Sequence, residues 1–168
     1  MKEHIHIILT GGTIEKSYNP VTEQTAFLCK SILPDYLNDV IKAYPHLSFD
    51  FVSQIDSLDM TDNLRSNILH SIKQTLAKKI IVTHGTSTMA DTAVYLAKHL
   101  GKTDKTIVLT GAMIPLKEFA MSDAGFNLGY AMASVQTADA GIYIAMNASL
   151  FDAGKVVKNV AIGKFEGV

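Results

Sequence analysis

Cysteine is almost absent. Cys29 stands alone among 168 residues, so no internal disulfide can form and a packed core must hold the chain. A domain of about this size buries roughly 70% of its unfolded surface, which leads us to expect one globular domain over 1–168 with no staples. A lone thiol fits a reducing cytoplasm. Cys29 lies between Leu28 and Lys30 with no histidine partner, which predicts a buried or half-buried structural thiol rather than a nucleophile.

An excess of charge of either sign is missing too. The chain has 15 Lys+Arg against 16 Asp+Glu, a net charge of -1, and so lacks the basic footprint of a nucleic-acid binder or a polybasic membrane-surface protein. No apolar run approaches the roughly 20 residues of a membrane-spanning helix. The stretch from His4 to Leu9 is too short for a secretory signal core and runs into glycines, so it reads as a first strand. Neither G-x-G-x-x-G nor G-x-x-x-x-G-K-[ST] occurs, which argues against a phosphate-binding loop. The histidines (His4, His6, His46, His70, His84, His99) show no metal-ligand spacing, so neither metal nor cofactor is expected. A small molecule and further copies of the chain remain as partners.

The sequence does contain short apolar, β-branched runs separated by helical patterns. Candidate strands cover Ile5–Leu9, Leu47–Val52, Lys79–Thr83, Thr106–Leu109 and Gly141–Ala145. Several are apolar at nearly every position, as parallel strands buried on both faces require. Pro34 can open a helix over Asp35–Tyr44, and Thr61 can cap one with a stripe of Leu64, Ile68, Ile72 and Leu76. Thr88 with Asp91 resembles a capping box before a helix ending at Gly101, and 122–136 predicts a fourth helix. The methionines Met89, Met113, Met121 and Met132 read as core filler. This alternation predicts an α/β fold of three layers, a mostly parallel sheet with helices on both faces, Rossmann- or flavodoxin-like. The tail over 155–168 alternates apolar and polar residues and predicts a C-terminal β-hairpin.

Ligands of such sheets bind at the carboxyl ends of the strands, where strand order reverses. Three strand ends place glycine among hydroxyls: Thr10-Gly11-Gly12-Thr13-Ile14, His84-Gly85-Thr86-Ser87-Thr88 and Thr110-Gly111-Ala112-Met113. Each reads equally as a tight, capped turn or as a cradle whose N–H groups face a ligand oxygen. Amide hydrolysis needs a nucleophile, a base and donors for an oxyanion. Threonine supplies the first and glycine-turn amides the last, while a base is not evident.

These motifs resemble those of the bacterial-type L-asparaginase/glutaminase family, marked by TGGTI after the first strand and HGTDT after the third. Thr10-Gly11-Gly12-Thr13-Ile14 matches the first, and His84-Gly85-Thr86-Ser87-Thr88 the second except at Ser87. Thr110-Gly111-Ala112-Met113, Phe126-Asn127-Leu128 and Met146-Asn147 are similar to further landmarks, in the same order. The resemblance implies that Thr13 is the nucleophile, Thr86 a second catalytic hydroxyl and Tyr18 an assisting loop tyrosine. It places Gly12, Asp56, Ser57, Gly85, Ser87 and Ala112 around an L-asparagine substrate. It also implies a short, single-domain member of the family that works as a homo-oligomer, a dimer or a tetramer.

The chain departs from the family pattern in three places. Ser87 replaces the aspartate that holds the substrate's α-ammonium, and Leu58 replaces the glutamine after Ser57. The family lysine that serves the second threonine is expected between Phe126 and Met146, yet 131–140 has none, leaving Lys16 and Lys117 as candidate substitutes. Three functions follow: asparagine hydrolysis through a threonine acyl-enzyme, amino-acid binding by a weakly active or inactive relative, and hydrolysis of another small amide that lacks an α-ammonium.

Overall fold

The computed structural model describes residues 2–117 and 120–168. The first half of the chain forms β1 (His4–Gly11), β2 (Lys16–Asn19), β3 (Gln24–Phe27), α1 (Leu33–Asp35), β4 (His46–Ile55) and α2 (Asp62–Gln74). The second forms β5 (Lys79–Thr83), α3 (Met89–Leu100), β6 (Thr106–Thr110), α4 (Ala124–Thr137), β7 (Gly141–Met146), β8 (Ser149–Asp152), β9 (Val156–Asn159) and β10 (Lys164–Gly167).

A six-stranded sheet runs in the order β4-β1-β5-β6-β7-β8, parallel except for the last strand. Its parallel strands thus follow the flavodoxin order, with the reversal between β1 and β5. Strand side chains alternate between faces. Ile8, Ile80, Val82, Ile107 and Leu109 join a core with Ile68 and Ile72 of α2 and Leu96 of α3. Ile7, Leu9, Ile81 and Val108 join a second core with Leu128, Ala131 and Val135 of α4. Both faces are therefore covered, which explains strands without polar alternation.

Thr61 caps α2 by accepting from the Leu64 N–H at 3.3 Å. The helix stops at Gln74, Thr75 is extended, and Leu76 is left 93% exposed instead of completing the expected stripe. Pro34 does lie in the first turn of α1, but the segment becomes a π-helix over Tyr36–Val40 and ends well before Tyr44. Thr88 does not cap α3 with its side chain; its hydroxyl donates to the Ser57 carbonyl at 2.6 Å, a long-range partner that local spacing cannot reveal. Cys29 is exposed, because the segment that carries it runs over the surface beside Lys30 and Ser31.

The β9–β10 tail hairpin forms as the alternation predicted. A second hairpin, β2–β3, follows the first glycine turn and gave no such signal, because its strands are mostly polar and bury no residue fully. The antiparallel edge strand β8 also lay outside the expected set, since the tight turn at Asn147 and Ala148, both at positive φ, carries no glycine.

Candidate active site

At the strand reversal the turns after β1 and β5 meet, and two glycines let them pack tightly. Gly12, at φ +79°, lies against Gly85 so closely that a Cβ on it would fall 2.5 Å from the Gly85 nitrogen. A Cβ on Gly85 would fall 2.6 Å from that of Ser57. The turns after β1, β4 and β5 are therefore in contact, and Thr13 and Thr86 follow the two touching glycines directly. No side chain larger than hydrogen fits at either position.

Hydroxyls near the ends of β1 and β6 do structural work. Thr10 donates to the Thr83 carbonyl at 2.7 Å and Thr110 to the Ala145 carbonyl at 2.9 Å, clipping neighbouring strands together. Thr13 is half-buried on a 3-10 turn over Thr13–Glu15, while Thr86 is buried. Ser57 is buried, and its Oγ accepts from the Ser87 N–H at 3.0 Å. Ala112 is fully buried beneath the third turn, and Ser87 is exposed at the rim.

The lysine beside the second threonine is Lys158. Its Nζ donates to Thr86 Oγ1 at 2.7 Å, and Thr86 Oγ1 faces the Met113 sulfur at 3.5 Å. Lys158 lies on β9, beyond the segment where a lysine was expected. The hairpin that carries it is pinned by residues the sequence had singled out. Lys158 pairs across the hairpin with Phe165, which is 1% exposed, and the Phe165 N–H donates to Asn147 Oδ1 at 2.9 Å. The Asn147 N–H in turn donates to Asn127 Oδ1 at 3.2 Å. Val156-Val157-Lys158-Asn159, within the tail already read as a hairpin, was the signal to follow.

Neither substitute lysine takes that place. Lys16 forms an ion pair with Asp56 at 2.8 Å, tying the Thr13 turn to the Ser57 turn. This hydrogen bond holds the Asp56 carboxyl below the usual carboxylate range. Lys117 is exposed and borders a groove with Ile32, Asp35 and Tyr36, although the preceding Leu116 N–H reaches the Ile14 carbonyl at 3.3 Å. Tyr18 sits on β2 and is 43% exposed.

Glu15 escaped notice in the sequence. It is fully buried two residues after Thr13, and one of its oxygens accepts from the Gly11 N–H at 3.1 Å. Burial pushes its carboxyl up, against the opposing pull of the nearby Ser31 hydroxyl and the Gly11 N–H.

Fold and contacts together define a flavodoxin-ordered α/β domain that brings Thr86 and Lys158 together beside the glycine turns at its strand reversal. The family model described as "Asparaginase, N-terminal" matches residues 4–163, and the chain belongs to that family. L-asparaginase 2 of Escherichia coli (strain K12) is 32% identical over 162 residues, covering 92% of this chain and 46% of that protein. Glutaminase-asparaginase of Acinetobacter glutaminasificans is 31% identical over 175 residues, 96% of this chain and 51% of that protein. The chain thus spans about half the length of these curated relatives. The solved structure of a probable cytoplasmic L-asparaginase from Campylobacter jejuni superposes with a TM-score of 0.81 at 30% identity, covering 99% of this chain and 53% of that one.

Proposed function

We propose that the chain hydrolyses the side-chain amide of L-asparagine to L-aspartate and ammonia, with Thr13 as nucleophile. The Thr13 hydroxyl attacks the amide carbonyl, its proton passes to the departing ammonia, and water then cleaves the acyl-threonine. Thr86 and Lys158 serve the proton transfer: Thr86 accepts from the attacking hydroxyl or water and passes its own proton on to the leaving group, while Lys158 donates to Thr86 Oγ1 and holds it in place. Backbone N–H groups at the glycine turns stabilise the oxyanion. Ser57 and its neighbours hold the substrate, and Tyr18 on its exposed hairpin closes over it. The observation that carries this reading is the 2.7 Å contact of Lys158 with Thr86, next to the touching pair Gly12 and Gly85. We read the protein as cytoplasmic and as a homo-oligomer, dimer or tetramer. Ammonia release from asparagine by the purified chain tests the proposal. Thr13→Ala should lower it at least about 10³-fold, and equal release by both proteins would sink the mechanism.

A second reading, a substrate without an α-ammonium, rests on the charges at the rim. Position 87 is a neutral, exposed serine, and the Asp56 carboxylate is already engaged by Lys16. Ser87→Asp should then raise turnover of asparagine relative to succinamic acid by about tenfold, the worth of one charge-assisted contact. An unchanged ratio would count against this reading.

A further inference from the structure

His84, the first residue of the second motif, is fully buried, and its ring nitrogens bond to neither Thr13 nor Thr86. Its two nitrogens have different partners. Nδ1 lies 2.7 Å from the Gly85 carbonyl oxygen, and Nε2 lies 2.9 Å from Thr92 Oγ1 on α3. Thr92 is fully buried and also receives the Arg65 Nε–H from α2 at 3.1 Å. Arg65 is held from behind by Asp62, through Nη1 at 2.8 Å.

Donor and acceptor rules give this chain a single direction. A carbonyl oxygen only accepts, so Nδ1 must carry a proton. Burial pushes His84 down to about 4, so at neutral pH the ring holds one proton and Nε2 is a bare acceptor. The Arg65 guanidinium only donates, so the Thr92 oxygen accepts from it and sends its own proton to Nε2. Every donor therefore points towards the Gly85 carbonyl. That carbonyl belongs to the peptide bond joining Gly85 to Thr86, and no peptide bond among the described residues is cis. Holding it fixes the plane of the peptide and turns the Thr86 N–H away from His84.

We infer that Arg65, Thr92 and His84 form a directed relay that fixes the Gly85–Thr86 peptide plane, making them positioning residues for the contact between Thr86 and Lys158. The catalytic part of this inference rests on the proposed function, whereas the tautomer and the peptide plane do not. Glycine at 85 is required by the close approach of Ser57, but it leaves that peptide with no side chain to brace it. The relay supplies the brace from two helices behind the sheet.

Histidine-labelled ¹⁵N NMR of the intact chain at pH 7 should find His84 as the Nδ1–H tautomer alone, and the Nε2–H form or a mixture would overturn the relay. Thr92→Val keeps the shape but loses the hydroxyl; it should shift the Nε2 and Thr86 amide resonances and lower kcat by about tenfold, with KM within about twofold. Thr92→Ser should restore all of these. An unmoved Thr86 amide in Thr92→Val refutes the brace whether or not the chain turns over asparagine. Unchanged kcat beside a measurable wild-type rate refutes the positioning role. Loss of wild-type turnover with the tautomer and amide shifts as expected would instead refute only the proposed reaction.

Discussion

Two hairpins of four-residue strands border the glycine turns, and they are built in opposite ways. The hairpin β9–β10 buries Val156 and Phe165 against the main core and is tied to the sheet through Asn147. The hairpin β2–β3 buries no residue fully; Leu28 just beyond it donates to the Glu15 carbonyl at 3.3 Å, and Lys16 at its start pairs with Asp56. One presents Lys158 in a fixed place, while the other holds Tyr18 at the surface. Burial of an aromatic anchor fixes position at a cost in mobility, whereas few buried apolar contacts are the mark of a segment that opens at low cost. A site that admits a substrate and then excludes water can use both.

Substitutions should separate the two hairpins. The largest effect is expected at the anchor. Phe165→Ala should destabilise the chain by about 3–5 kcal/mol in denaturant titration, through the lost transfer energy and the cavity left behind. It should also abolish ammonia release by undocking Lys158, and a variant of undiminished stability would show that the hairpin is not anchored there. Lys158→Met keeps the stem and removes the amine. It should lower kcat by about 10²–10³-fold while unfolding stability changes by less than about 1 kcal/mol, and near-normal turnover would mean that Thr86 needs no amine partner at this place. Tyr18→Phe should have the smallest effect, about tenfold on turnover and within about 0.5 kcal/mol on stability. Wild-type rates in Tyr18→Phe would leave the exposed hairpin without a role in the reaction.

Much of the fold was legible because its signals are local. Continuous apolar runs such as Ile80-Ile81-Val82 specify strands buried on both faces, and the Thr61 cap marks where α2 begins. The site was legible as motifs, since glycine next to threonine at a strand end is itself a local arrangement. The partners of those motifs were not. Nothing near Asp56 in the sequence reveals that Lys16 pairs with it, and Thr88 reads as a cap until Ser57 takes its hydroxyl. Glu15 carries no pattern that announces a buried carboxylate, because its burial comes from the way the turn folds back over Gly11.

The sequence by itself determined the alternation of strand and helix, the two glycine turns and the threonines that follow them, since periodicity and φ preference act within a few residues. Only the tertiary structure decided which lysine meets Thr86. Seventy-two positions separate Lys158 from Thr86. They are brought together by the burial of Phe165 and by the hydrogen bond that its N–H donates to Asn147 Oδ1, contacts between distant parts of the chain that no local spacing records.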